Sequence, residues 1–274
     1  MKSDKMQASR FELKYFLTED TARRMRPFVQ GYIDIDEYSA IQPNLCYPTL
    51  SLYLDSDDLA TYWWTINGNK NRFKLRLRYY DERPNSPVFF EIKRRMNNVI
   101  LKQRAGVRKE AVRWLLAGHL PDREHLLNPD DPAQWVALQR FIELMLQLNA
   151  KPKLHVAYLR EAYENANNNA VRLTFDRAVE SAPNAQGLLI AKSEEPHRVF
   201  DPNLVLELKF TERFPNWFRD LVETFNCMQM GAAKFAEGIY TRGETWIHRA
   251  CPRKPPERLI DDFLAGKGFP KIKK

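Results

Sequence analysis

The chain is short of the residues on which several familiar kinds of site are built. Three cysteines in 274 residues, Cys46, Cys227 and Cys251, are too few and too scattered for a disulfide framework or a CxxC metal knuckle. Such sparing use suits a reducing compartment, and a cytoplasmic location is expected. The ten glycines include neither a GxxxxGK[ST] nor a GxGxxG arrangement, which excludes a P-loop and a dinucleotide-binding fold. Any phosphate must then be held by side chains. The five histidines, His119, His125, His155, His197 and His248, show no HxxxH or HxH spacing for zinc. No apolar run approaches the roughly 20 residues that cross a bilayer, and the polar stretch from Met1 to Arg10 is unlike the apolar core of a signal peptide. No membrane span is expected, although association with a membrane partner stays open.

What the chain has is positive charge. Lys and Arg number 43 against 35 Asp and Glu, a formal net charge of +8. An anionic partner is therefore favoured: nucleic acid, acidic lipid or a phosphate-rich ligand. With 44% hydrophobic and 12% aromatic residues the chain can bury one sizeable core.

Strand-like alternation dominates the pattern, over 9–16, 49–55, 71–80, 87–95, 99–104, 152–163, 170–178 and 203–210. Helices are expected from Thr18, as N-cap, to just before Gly31, then from about Val107 to Gly118, Pro132 to Leu148 and Pro215 to Met228. The last two place Trp135, Leu138, Ile142, Met145 and Leu148, and Trp217, Leu221, Phe225 and Met228, on apolar stripes that face a core. The Asn run at 167–169 reads as a hairpin turn, and Lys267 to Lys274 as a basic tail. Tyr62-Trp63-Trp64 reads as packing beside a strand rather than as a base-stacking platform.

The informative feature is the polar face of the strands, because side chains two apart in a strand share a face. Arg72, Lys74, Arg76 and Arg78 form one row while Phe73, Leu75 and Leu77 form the other. Glu91, Lys93 and Arg95 share a face, as do Arg10, Glu12 and Lys14, then Arg172, Thr174 and Asp176, and finally Glu207 and Lys209. A solvated face would explain any one of these rows, but five in one chain are harder to explain that way. Like charges at i and i+2 lie roughly 7 Å apart, so each adjacent pair repels by about 2.4 kcal/mol at an effective dielectric of 20. Such a stack needs water, counter-ions or a polyanion. The recurring Glu residues neutralise locally and are also the hard oxygen donors that Mg²⁺ or Mn²⁺ requires. If the strands curl with their apolar face outward under the helices, the charged rows line an interior, and Arg76 and Arg78 point into one shared cavity. In 152–163 the strand phase leaves open whether Arg160 or His155 faces in.

The runs Phe11-Glu-Leu-Lys-Tyr15, Ser51-Leu-Tyr-Leu-Asp55, Lys74-Leu-Arg-Leu-Arg78, Phe90-Glu-Ile-Lys93, Val171-Arg-Leu-Thr-Phe-Asp176 and Leu206-Glu-Leu-Lys209, taken together and in order, resemble the VTC domain. That is the polyphosphate polymerase branch of the CYTH-like triphosphate tunnel metalloenzymes. The resemblance covers about 9–241 and is to the stand-alone bacterial type. It implies an α+β fold: an eight-stranded antiparallel β-barrel, the triphosphate tunnel, with amphipathic helices packed around it. One domain over 1–274 is expected, with 242–274 a C-terminal helix and basic tail.

Carried over by position, Lys14, Arg76, Arg78, Lys93, Lys102 and Lys234 resemble the family's phosphate-binding cations, and Arg160 a further tunnel arginine. Lys74, Arg172 and Lys209 join them on strand phase. Glu207 resembles the metal-binding glutamate, with Glu12 beside it; Arg10 stands where the wider superfamily has a first glutamate. The implied activity is Mn²⁺- or Mg²⁺-dependent transfer of the γ-phosphoryl group of ATP, or another nucleoside triphosphate, onto a polyphosphate chain, with Arg76, Arg78, Lys93 and Glu207 as the catalytic set. A triphosphatase and a non-catalytic polyphosphate-binding module are the alternatives. Nucleic acid is not expected, because the basic rows alternate with aliphatic residues rather than exposed aromatics.

Overall fold

The computed structural model describes residues 10–97, 99–165, 170–211 and 213–252. The chain opens with β1 (Arg10–Leu17), α1 (Glu19–Gln30), β2 (Asp34–Ile35) and α2 (Glu37–Ala40). It continues through β3 (Tyr47–Asp55), α3 (Ala60–Ile66), β4 (Asn71–Tyr79), β5 (Val88–Met96) and β6 (Val99–Val107). Next come α4 (Val112–Leu116), α5 (Pro132–Gln147), β7 (Lys151–Glu164), β8 (Val171–Pro183), β9 (His197–Arg198) and β10 (Leu204–Thr211). The last described elements are α6 (Asn216–Thr224), α7 (Lys234–Tyr240) and α8 (Glu244–Ala250).

The strands make one antiparallel sheet in the order β2-β7-β3-β4-β5-β6-β1-β10-β8-β9. It curls far enough for β7 to pair with β8 as well as with β3. Between β6 and β1 the described register is a single pair, Arg10↔Ile100, so this seam has almost no ladder. All eight expected long strands are present. The expected barrel is thus seen as a curled sheet of ten strands, with short β2 and β9 added and one weak seam.

The outer face of the curl is apolar because the odd-numbered residues of β4 and the even-numbered residues of β5 are. Leu75, Leu77, Phe90 and Ile92 are buried there under α5. That helix starts where Asp131 accepts hydrogen bonds from the amides of Ala133 (2.9 Å) and Gln134 (3.1 Å), with Pro132 in its first turn. It lays Leu138, Phe141, Ile142 and Met145 on the sheet, with Phe141 edge-on to Phe90 at 4.9 Å. On the other flank α1, capped by Thr18, seats Ala22, Met25 and Val29 against Tyr163, Phe175 and Leu206. At the end of β3 the buried Asp55 accepts from the amides of Ser56, Thr61 and Tyr62 and from the Thr61 hydroxyl, and so fixes the start of α3. Tyr62 is buried and Trp64 packs edge-on to Phe73.

Three expectations change. Val107 does not begin a helix: it pairs with Val88 and bridges Leu126, so β6 runs on, and only a 3₁₀ turn and the short α4 follow. The helix over Pro215 stops at Thr224 because Asn226 takes a left-handed φ of 46° and the Cys227 amide turns back to the Val222 carbonyl. Met228 therefore leaves the stripe and is exposed. Strand β8 outlasts its sequence alternation, since Ala178 at φ 51° takes up the extra residue of a bulge opposite Ala157 and Leu159, after which pairing resumes. The Asn run at 167–169 and the basic tail lie outside the described residues.

Helix α7 sits close against β7 and β8 because residue 238 is glycine. A Cβ there would meet the Ser181 Oγ at 2.8 Å, the Ser181 Cβ at 2.9 Å and the Leu154 Cδ2 at 3.1 Å. Gly238→Ala should therefore push α7 outward and cost about 1–3 kcal/mol, read as a lower urea midpoint with an unchanged m-value.

Candidate functional site

The inward phase of the strands assembles a charged interior that opens into a cavity of about 840 Å³. Of the residues expected to bind phosphate, Lys14, Lys74, Arg76, Arg78, Lys93, Arg160, Lys209 and Lys234 line it, as do Glu12 and Glu207. Three carboxylate-centred clusters organise them.

The first centre is Glu91 on β5, fully buried. Arg76 reaches it with Nε at 2.8 Å and Nη2 at 2.7 Å, Lys102 with Nζ at 2.7 Å and Arg104 with Nε at 3.4 Å. Lys102, partly exposed, is not on the wall of the main cavity. The second centre is Glu12, whose carboxylate takes the Lys93 amine at 2.9 and 3.0 Å and the Lys14 amine at 3.1 Å. The third joins Glu207 and Asp176: Arg160 grips Asp176 with two bonds of 2.7 and 2.8 Å and touches Glu207 at 3.3 Å, while Lys234 spans the two acids at 3.0 and 2.6 Å. Lys209 meets Glu207 at 2.8 Å, and Lys14, at 3.4 Å, links Glu207 to Glu12. Lys234 opens α7, and the segment before it bridges β1 through Gln229 and accepts a 2.9 Å hydrogen bond from the Lys14 amine at the Ala232 carbonyl.

Two cations deep in the interior have no carboxylate within ion-pair distance among the described residues. Arg78, 6% exposed, donates only to the Tyr158 hydroxyl (2.8 Å) and the Ser51 hydroxyl (3.3 Å), and its Nε is buried without a partner. Lys74 lies over the Phe235 ring with its amine 5.7 Å from the centroid. Burial, then the charges of Lys14, Lys93 and Arg72, pull its pKa from 10.5 down to about 7. Burial likewise lowers Lys102 to about 7 and Lys209 to about 8, against the attraction of Glu91 and Glu207 respectively. The acids behave oppositely. Burial acts to raise Glu12, Glu91 and Glu207, yet the surrounding amines and guanidiniums keep all three well below the ordinary carboxylate range.

Two expected residues stand elsewhere. Arg172 is inward by phase, opposite Lys209, but its guanidinium turns to Asp36 (2.8 Å) and Glu164 (3.0 Å) and does not line the cavity. Arg160, not His155, faces in; His155 is buried among β3, Tyr79 and the Ser193 hydroxyl, and burial lowers it to about 4. The sequence reading passed over Tyr53 and Tyr158, whose hydroxyls accept from Arg76 (3.1 Å) and Arg78. Their inward parity, two residues from Ser51 and from Arg160, was the available signal. It also gave no separate role to Glu91, which pairs with three cations of the interior.

A hard divalent cation fits this donor set in part. Glu12 and Glu207 are held ionised and share Lys14, so both can offer oxygens to one ion. Among the described residues, however, no group of three His, Cys, Asp or Glu side chains gathers at one point, so the rest of the shell must come from ligand oxygens and water.

A curled antiparallel sheet with helices outside and a cation-rich interior defines an α+β protein built around an internal polar site. Within that class the chain belongs to the VTC domain family, whose model matches residues 9–241. No curated protein sequence matches it. Among solved structures, a "putative adenylate cyclase" from Bacillus halodurans is similar at 13% identity and a TM-score of 0.50, over 82% of this chain and 94% of that one; it shares the fold. The PH1819 protein from Pyrococcus horikoshii aligns at 13% identity over 85% and 99%, with a TM-score of 0.43, too low to add to the argument. No described helix is long and apolar enough to cross a membrane.

The depressed Lys74 pKa carries a stability consequence. Between pH 7 and 10.5 the unfolded chain holds a proton at this site that the folded chain lacks, so stability rises with pH in that window. Lys74→Met should raise the melting temperature at pH 7 and flatten the rise between pH 7 and 9, as thermal melts across that range would show.

Proposed function

We propose that the protein is a metal-dependent phosphoryl-transfer enzyme that makes polyphosphate from ATP in a tunnel formed by the curled sheet. The observation that carries this reading is the buried, unpaired guanidinium of Arg78, beside a half-buried Lys74 amine that has no acid within ion-pair distance among the described residues and holds its proton only weakly. An arginine with no carboxylate partner and an orphaned Nε is costly to bury unless an anion completes its bonds. Among the described residues the interior sets the cations Lys14, Lys74, Arg76, Arg78, Lys93, Lys102, Arg104, Arg160, Lys209 and Lys234 against the acids Glu12, Glu91, Asp176, Glu207 and, near Lys74, Glu237. A linear triphosphate supplies several negative charges in a row, which suits cations repeating at every second residue of a strand.

In this reading Arg78 and Lys74 grip phosphate oxygens directly, and Arg76 does so from the Glu91 platform. Guanidiniums offer fork geometry where the lysines act as point charges. Lys93, Lys14, Lys209 and Lys234 carry the charge of the transferring group and of the acceptor end. Glu207 and Glu12 would hold a Mn²⁺ or Mg²⁺ ion, which when bound supplies further neutralisation of phosphate oxygens. An oxygen of the acceptor chain's terminal phosphate forms the new P–O bond as the bond to the β-phosphate breaks and ADP leaves with the electron pair. The nucleophile is already an oxyanion, so no general base is needed. Positioning and charge stabilisation carry the catalysis.

Incubation with ATP and Mn²⁺ should give a ladder of polyphosphate on a gel. Free phosphate alone would assign water as acceptor and make the protein a triphosphatase; no turnover, with tight polyphosphate binding, would leave a binding module. Arg78→Met, which strands no buried carboxylate, should lower turnover by about 100-fold or more while the melting temperature is kept. Arg76→Ala is the poorer probe, because it takes a partner from buried Glu91 and loss of fold would confuse the result.

A further inference from the structure

The mouth of the cavity carries a charge arrangement that the interior site does not use. Arg72 and Arg95 are directly opposite each other on β4 and β5, both on the inward phase. Like charges in that position destabilise a strand pair. Every inner carboxylate sits among cations, yet among the described residues no acid lies within ion-pair distance of Arg72, Arg95 or the neighbouring Lys70. Each guanidinium is instead steadied by a backbone carbonyl: Arg72 donates to Asn69 and Arg95 Nε to Asn97 at 2.8 Å, and the Asn97 amide closes the hairpin on the Lys70 carbonyl at 3.0 Å. Carbonyls orient a guanidinium without cancelling its charge. Burial and the charge of Arg95 both depress the Arg72 pKa.

These residues also bound a second cavity of about 480 Å³, with Lys70, Asn97 and Gly68, and Arg72 and Arg95 line the main cavity too, so the two adjoin at this pair. Gly68, at φ 66°, leaves open space where a side chain would stand. At roughly 3.3 Å per residue, Arg72 is about 13 Å along β4 from Arg76. A ligand held at Arg76 and Arg78 needs further charged groups to reach it.

We propose that Lys70, Arg72 and Arg95 form a second anion site at the mouth, which takes the phosphates of a linear chain longer than a triphosphate. The proposal rests on the reading of the interior as a phosphate site and gives it a length preference: a short chain is held inside only, a long chain inside and at the mouth. Single-stranded nucleic acid, the other linear polyanion, is less suited, since among the described residues no aromatic side chain borders the outer cavity for base stacking.

The test is calorimetric titration of the full chain with inorganic triphosphate, a long linear polyphosphate and a single-stranded oligodeoxynucleotide at matched ionic strength. Wild type should bind the long polyphosphate more tightly than triphosphate. Arg72→Gln/Arg95→Gln should weaken long-chain binding by about tenfold or more, weaken triphosphate binding several-fold less than that, because Arg72 reaches the interior only through its field on Lys74, and melt at or above the wild-type temperature because the opposed charges are gone. An equal loss for both phosphates, no loss for either, or an oligonucleotide bound as tightly as polyphosphate and lost in parallel would each overturn the mouth site. Wild type that binds triphosphate no less tightly than the long chain overturns it alone, whereas failure to bind any phosphate overturns the interior reading as well.

Discussion

Mutual repulsion among inward-facing cations is the constraint that the rest of the structure answers. Four of them stand in one row on β4, and β1, β5, β6, β7 and β10 add others to the same interior. The few buried carboxylates are placed where each serves several cations. Glu91 takes Arg76, Lys102 and Arg104; Glu207 takes Lys14, Lys209, Lys234 and Arg160. These hubs tie together strands far apart in sequence and bring the segment before α7 to the interior. Glu207 joins β10, β1, β7 and α7 in one cluster, so it is structural whatever else it binds. The apolar outer face, seated under α1 and α5, makes the charged interior tolerable by burying enough surface elsewhere.

What the hubs leave unneutralised is concentrated at Arg78 and Lys74 inside and at Arg72 and Arg95 at the mouth. Residues that a fold would be better without, on grounds of stability alone, mark a site retained for binding. A polyanion relieves the repulsion at each of them together, so binding and folding are coupled through the same charges.

Much of this was legible in the sequence because a strand's period of two separates faces cleanly. The eight long strands, the inward direction of Arg76, Arg78, Lys93 and Glu207, the cap at Thr18 and the helix start at Pro132 all follow from local pattern. What escaped depends on partners brought in from afar. Arg172 has the inward phase, yet Asp36 at the start of α2, 136 residues away, diverts it. Lys102 is inward too, but it turns to Glu91 and stays off the wall of the main cavity. The length of β8 was hidden by its bulge, and the end of the helix after Pro215 by an asparagine in a left-handed turn. Tyr53 and Tyr158 carry no signal of their own in the sequence, and only the arginines beside them show their hydroxyls in use.

The central claim, that the interior cations are held ready for a polyanion, is tested most directly by proton linkage. With Lys74 near 7 and Lys209 near 8, a triphosphate that enters the site must raise both, and the protein must take up protons. Titration at pH 8 in two buffers of different ionisation enthalpy measures this uptake. The account predicts that wild type takes up more protons per triphosphate bound than the Lys74→Met variant does. Equal proton exchange in the two proteins, or tight binding of triphosphate that is unaffected by the substitution, would contradict it.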